Sequence, residues 1–150
     1  MELRGINRIV IAVRSLDQAK KLYTDMLGAT FFDAHWTGEP FGIHVSIAWD
    51  AGIELCAPMP GREQDSAVSQ FLAQKGEGIM NIYFGVDDAD AAMARATASG
   101  YSGVHALDYS QDEIDQYLGG RFCRYQEFNL SSADRCGFNV SLARIDRKPG

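Results

Sequence analysis

A repeat with a spacing of 73 residues constrains the fold of this chain more than any other feature. Displaced by that length, Ile6, Ile9, Val13, Asp17 and Ala19 fall on Ile79, Ile82, Val86, Asp90 and Ala92, five identities among fifteen positions. Both copies open on an Ile/Val-rich segment, the mark of a sheet strand, and run on into helical periodicity. Internal repetition of this kind indicates two copies of one supersecondary unit, here β-α-β-β-β. A single copy would leave one face of its sheet uncovered, so the two are expected to pack together. With 150 residues, 46% of them hydrophobic, there is enough apolar material for one ordinary α+β domain.

Local signals divide the chain accordingly. Ile6–Val13 is a strand, and Ser15 offers an N-cap to a helix carrying Leu16, Ala19, Tyr23 and Met26-Leu27 at helical spacing before Gly28 ends it. Strands are expected across Ala29–Trp36, Phe41–Trp49 and Ile53–Ala57, the last two joined by a three-residue Asp50-Ala51-Gly52 hairpin loop. Residues 58–64 read as a linker, and Ser66–Lys75 as a short helix. The second copy then gives a strand at Ile79–Val86, an Ala-rich helix at Asp88–Ser99, and strands at Tyr101–Tyr109, Arg121–Leu130 and Phe138–Ile145. The polar stretch Ser110–Leu118 reads as a helical turn over a pocket. Module one thus occupies about 4–58, the linker about 59–76 and module two about 77–146 of a single domain, 1–150.

Composition excludes several classes of function. A net charge of −6 and scattered basic residues do not suit nucleic acid. No apolar stretch approaches the length of a membrane span, and the N-terminus lacks a cleavable signal pattern. Cys56, Cys123 and Cys136 are odd in number and have no CxxC spacing, so neither disulfides nor a zinc knuckle is expected. A cytoplasmic location follows. The Gly76-Glu77-Gly78 run precedes a strand and lacks a following Lys-Ser/Thr, which excludes a phosphate loop.

INRIVIAV followed by SLDQAKKLYTDMLGA resembles the opening of vicinal oxygen chelate proteins, the glyoxalase/bleomycin resistance/dioxygenase superfamily. GIELCAP resembles its fourth strand, GEGIMNIYFGVDDADAAMARATASG the start of its second module, especially in methylmalonyl-CoA epimerases and glyoxalase I, and GFNVSLAR its closing strand. The resemblance implies two βαβββ modules forming a curled mixed sheet around a pocket, and a homodimer. It also implies four metal-ligand positions, which here hold Arg8, Glu54, Asn81 and Ser141. Arginine has no lone pair to offer, and Asn and Ser are weak neutral donors. No metal and no cofactor are therefore expected.

Strand alternation puts Arg8, Val10 and Ala12 on one face, and Asn81, Tyr83 and Gly85 on the matching face of the fifth strand. By the resemblance, Glu54 with Cys56, and Asn139 with Ser141 and Ala143, complete a polar concave face. With the three-residue loop, Ala48 pairs with Glu54, which puts His44 on Glu54's face, about 14 Å along, at the pocket mouth. The facing of His35 and His105 is not fixed by pattern, and both read as ordinary surface or core histidines. Tyr125 and Glu127, on the seventh strand, are further pocket candidates whose facing is likewise open. The Arg8/Glu54 pair, with Asn81 and Ser141, also fits a purely structural role. Two classes of function remain. One is a metal-free protein binding a small, aromatic or amphipathic molecule, with Asn81, Tyr83, Ser141, His44 and Cys56 as lining residues. The other is a metal-independent isomerase or lyase with Glu54 as base and Arg8 as oxyanion partner. A metal-dependent lyase, epimerase or dioxygenase ranks third.

Overall fold

The computed structural model describes Met1–Gly150. In chain order the elements are β1 (Leu3–Ala12), α1 (Leu16–Leu27), β2 (Phe32–Asp33), α2 (His35–Gly38), β3 (Ile43–Ala48), β4 (Ile53–Pro58), α3 (Ala67–Lys75), β5 (Gly78–Val86), α4 (Ala89–Ala98), β6 (Ser102–Asp108), α5 (Gln111–Leu118), β7 (Phe122–Ser131), α6 (Ala133–Cys136) and β8 (Asn139–Arg147). They form two compact units, Arg8–Met80 and a second made of Met1–Asn7 with Asn81–Gly150. No helix is long and apolar enough to cross a membrane.

In Arg8–Met80, here module one, the strand order is β2-β3-β4-β1, with β1 parallel to β4 and the other pairs antiparallel. The Ser15 hydroxyl accepts the Gln18 N–H, and Gly28, at φ 71°, closes α1 in the left-handed conformation that glycine adopts at little cost. Ala19 of α1 buries against Val13, Ile53, Leu55 and Ala57, with Tyr23 packed on the same cluster. This apolar layer fixes which sheet face is left for polar side chains.

The stretch 29–36 departs from the extended strand expected of it. Only Phe32 and Asp33 pair with β3, opposite Ile47 and Ser46. The chain then coils into α2 because the His35 ring takes up a sheet donor: the Val45 N–H donates to His35 Nδ1 at 3.1 Å. Gly38 is required there. A Cβ on it would stand 2.4 Å from the Ile43 carbonyl oxygen, inside any tolerable contact.

Module two, Met1–Asn7 with Asn81–Gly150, repeats the order as β5-β8-β7-β6, with β5 parallel to β8 and the remaining pairs antiparallel. The first residues of β1 belong to it. The Asp87 N–H donates to the Glu2 carbonyl, the Glu2 N–H donates to the Asp87 carboxylate, and Arg4 pairs with Asp146 at 2.7 Å. Asp88 caps α4 by accepting from Ala91 N, and Ser110 with Glu113 makes a full capping box on α5. Val86, Ala89 and Ala92 form the core under α4, with Phe128 and Leu142 against them. Each unit is therefore a βαβββ module with its helix on one sheet face.

Candidate functional site

In module one the β1/β4 register sets Val10 beside Glu54 and Ala12 beside Cys56, so Arg8, Glu54 and Cys56 share the face away from α1. Arg8 is 2% exposed and Glu54 8%. The Arg8 Nε–H donates to Glu54 Oε1 at 2.7 Å, a short charge-assisted contact. The guanidinium carbon also lies 5.2 Å from the centroid of the Trp49 ring, within reach of a cation–π attraction. Cys56 Sγ donates to Glu54 Oε2 at 3.5 Å. Burial first, and the Glu54 carboxylate second, push the Cys56 thiol well up, which keeps it protonated and unreactive.

His44 does not join them. The hairpin loop spans four residues, Trp49–Gly52, so Ile47 pairs with Glu54, and His44 lies opposite Ala57. A one-residue change of register moves a whole strand's side chains to the other face. His44 therefore stands on the side of Leu55 and Ala57, stacked on His35 at 4.0 Å between ring centroids with 15° between planes. Burial, and then the neighbouring His35, lower the proton affinity of His44, outweighing the pull of Asp33 and Glu39. The unfolded chain therefore takes up a proton that the folded one resists. Stability present above the ordinary histidine range, about pH 6.5, is thus lost as pH falls below it. The expected result is that His44→Phe flattens the decline in urea-unfolding free energy between pH 7 and 5. An unchanged slope would assign the decline to other groups.

In module two the register sets Ser141 beside both Tyr83 and Asn129, and Glu127 beside Ala143, so Asn81, Tyr83, Ser141, Tyr125, Glu127 and Asn129 share the face away from α4. This settles the facing of Tyr125 and Glu127. The Asn81 side-chain amide donates to Ser141 Oγ at 2.9 Å, and Asn129 Nδ2 donates to the same oxygen at 2.6 Å. Glu127, only 6% exposed, accepts from the Tyr83 hydroxyl at 2.8 Å and the Tyr125 hydroxyl at 2.7 Å. Asn129 links the two groups through a longer contact to Tyr83 Oη, 3.5 Å. His105, opposite Asn129 in the β6/β7 register, brings Nδ1 within 3.0 Å of Asn129 Oδ1. An accepting amide oxygen there selects the tautomer with the proton on Nδ1.

Alternation thus brings Arg8, Glu54 and Cys56 together, and Asn81, Tyr83 and Ser141 together. Trp49, Asn129 and His105 are the members the pattern missed, while Tyr125 and Glu127 were candidates whose facing only the β7/β8 register fixes. Tyr125, Glu127 and Asn129 alternate along β7 and carry a readable signal once one facing is known. His105 carries none, because β6 shifts register between Gly103 and His105.

The family's metal-ligand pattern does not suit these side chains. Arg8 offers no lone pair and its charge already neutralises Glu54, while Asn81 and Ser141 satisfy one another. Nowhere do three or more His, Cys, Asp or Glu side chains converge as a metal would require.

Solved structures with this arrangement of elements form a recognisable group. Methylmalonyl-CoA epimerase in complex with methylmalonyl-CoA and NH4+ is similar at 26% identity over 95% of each chain, with a TM-score of 0.71. A variant of the Streptomyces coelicolor methylmalonyl-CoA epimerase in complex with 2-nitronate-propionyl-CoA matches at 26% identity over 95% of this chain and 98% of its own, TM-score 0.71. A hypothetical protein from Bacillus halodurans, 18% identical over 97% of this chain and 96% of its own, has a TM-score of 0.74 and supports the fold alone. No curated protein sequence matches this chain. The fold is the α+β, glyoxalase-like one built of two βαβββ modules. Residues 7–118 match the family model, and the chain belongs to the glyoxalase/bleomycin resistance protein/dioxygenase superfamily.

Proposed function

We propose that this chain is a metal-independent member of its superfamily that binds a small amphipathic molecule of the acyl-thioester class, with Arg8 and Glu54 at the binding centre. The observation that carries the reading is the buried Arg8–Glu54 ion pair, 2.7 Å long, at two of the positions the family uses for metal ligands. A guanidinium supplies a fixed positive charge there without a metal's coordination requirements. The neighbouring Trp49 face adds an apolar surface of the kind that binds the non-polar part of such a ligand. The acyl-thioester class follows from the epimerase complexes at 26% identity, which hold CoA compounds.

A second reading, a proton-transfer isomerase with Glu54 as base and Arg8 as the partner of a developing oxyanion, draws on the same contact. A carboxylate held 2.7 Å from a guanidinium is fixed in position, as a base must be. Glu54→Gln separates the two. Titration of the wild type with propionyl-CoA should give saturable binding that EDTA leaves unchanged. A binding protein should keep that affinity within about threefold in Glu54→Gln, since the isosteric amide preserves shape. An isomerase should exchange the α-proton of methylmalonyl-CoA with D2O, and lose about 10²-fold or more of that rate on the substitution. Absence of binding to acyl-CoA compounds would sink the acyl-thioester reading. Binding only after Zn²⁺, Ni²⁺, Mn²⁺ or Co²⁺ is added would sink metal independence.

A further inference from the structure

Behind the sheet of module two, between α4 and α6, lies a cavity of about 330 Å³. Val86, Leu130, Val140 and Leu142 line it from the strands, and Ala92 and Ala96 from α4. This is the face opposite the Glu127 cluster, so the cavity is independent of the function proposed above. Its size falls within the range of about 300–1,000 Å³ typical of small-molecule pockets.

The repeat supplies an internal control. Displacement by 73 residues sets Leu22, Tyr23 and Met26 of α1 against Arg95 and Ala96 of α4 and Ser99, its C-cap. In module one the large Tyr23 ring packs on the core of Val13, Ala19 and Leu55. In module two its counterpart is Ala96, whose methyl group faces open volume. The counterpart of Leu22 is a cation: Arg95 lines the cavity and enters no ion pair or side-chain hydrogen bond. Tyr101, another lining residue, carries the Arg135 guanidinium 4.9 Å from its ring centroid, so a second cation stands at the rim. In a chain of net charge −6, two guanidinium groups beside an aliphatic cavity form a local site for an anion with an apolar body.

We infer that this cavity binds an aliphatic monocarboxylic acid, its hydrocarbon chain among Val86, Leu130, Val140 and Leu142 and its carboxylate on Arg95. Nothing covalent is involved. The apolar chain is drawn in by burial of its surface, and the guanidinium selects a carboxylate over a neutral head group.

The test uses the full chain with sodium decanoate, and decanol as the neutral analogue, followed by calorimetry. The wild type should bind decanoate saturably. Arg95→Ala should weaken decanoate about tenfold while leaving decanol unchanged. Ala96→Tyr, which installs the residue found at the matching place in module one, should abolish binding of both. Cys136 lines the cavity and is exposed, whereas Cys123 is exposed elsewhere on β7. Saturating decanoate should therefore slow alkylation of Cys136 by iodoacetamide, read by mass spectrometry, and leave Cys123 untouched. If Ala96→Tyr does not fold, the Arg95→Ala effect and the Cys136 protection still decide the matter. Decanoate binding that leaves Cys136 unprotected, that survives Ala96→Tyr in a folded protein, or that is lost in Glu54→Gln overturns the inference, the last by placing the ligand at the Arg8–Glu54 centre. So does a wild type that binds no decanoate.

Discussion

Replacing Arg8 with Met is expected to destabilise the protein by about 3–5 kcal/mol, because it leaves the Glu54 carboxylate buried without its cation. Both partners are almost wholly withdrawn from solvent, so water cannot take the place of the missing guanidinium. At this chain length, such a loss lowers the melting temperature by roughly 6–20 °C. Glu54→Leu should cost a similar amount, now through a buried guanidinium deprived of its carboxylate. The double variant Arg8→Met/Glu54→Leu should instead lie within about 1 kcal/mol of the wild type, since apolar side chains of similar volume escape the desolvation that the ion pair must offset. Urea unfolding of the four proteins closes the cycle. Single variants with wild-type stability would mean that the two charges do not depend on each other. A stable double variant that no longer binds propionyl-CoA would place the ion pair in ligand recognition and not in folding.

How far such a centre can be read from sequence depends on which kind of periodicity carries it. The Arg8–Glu54 pair was accessible because two-residue alternation fixes the faces of β1 and β4, and the parallel Val10–Glu54 register places those faces together. Ser15 and Gly28 marked the ends of α1 because caps rest on local chemistry. The error at His44 came from a loop one residue longer than its Gly52 signal suggested, and a single-residue error reverses every facing downstream. The extended reading of 29–36 failed for another reason. The His35 ring accepts the sheet hydrogen bond offered by Val45, and no propensity records a side chain acting as a strand. Glu127 and Tyr125 needed the β7/β8 register, which itself shifts between Phe122 and Arg124, so their facing rested on tertiary pairing. The cavity behind α4 needed both. Its alanines are plain in the sequence, but only comparison with the filled module shows that they leave space.

Removal of both phenolic hydroxyls that hold Glu127 should be as damaging as loss of Arg8, although no cation is involved. Tyr83 and Tyr125 each donate to one oxygen of a carboxylate that is 6% exposed. A hydrogen bond to a charged group contributes about 1.5–3 kcal/mol, so Tyr83→Phe and Tyr125→Phe should each lose that much and the pair roughly 3–6 kcal/mol. Tyr125 should be the more costly of the two. It is the more deeply buried, at 1% exposure against 7% for Tyr83, so water reaches the vacated oxygen less readily. The expected remedy distinguishes this cluster from ordinary packing. Adding Glu127→Leu to the double variant removes the group whose desolvation caused the loss, and should return most of the lost stability. Each phenylalanine keeps its ring in place, so a loss measured by urea unfolding reports on the hydroxyls. If the triple variant stays as unstable as the double, the carboxylate is not what the two hydroxyls serve, and their hydrogen bonds to Glu127 contribute little to the fold.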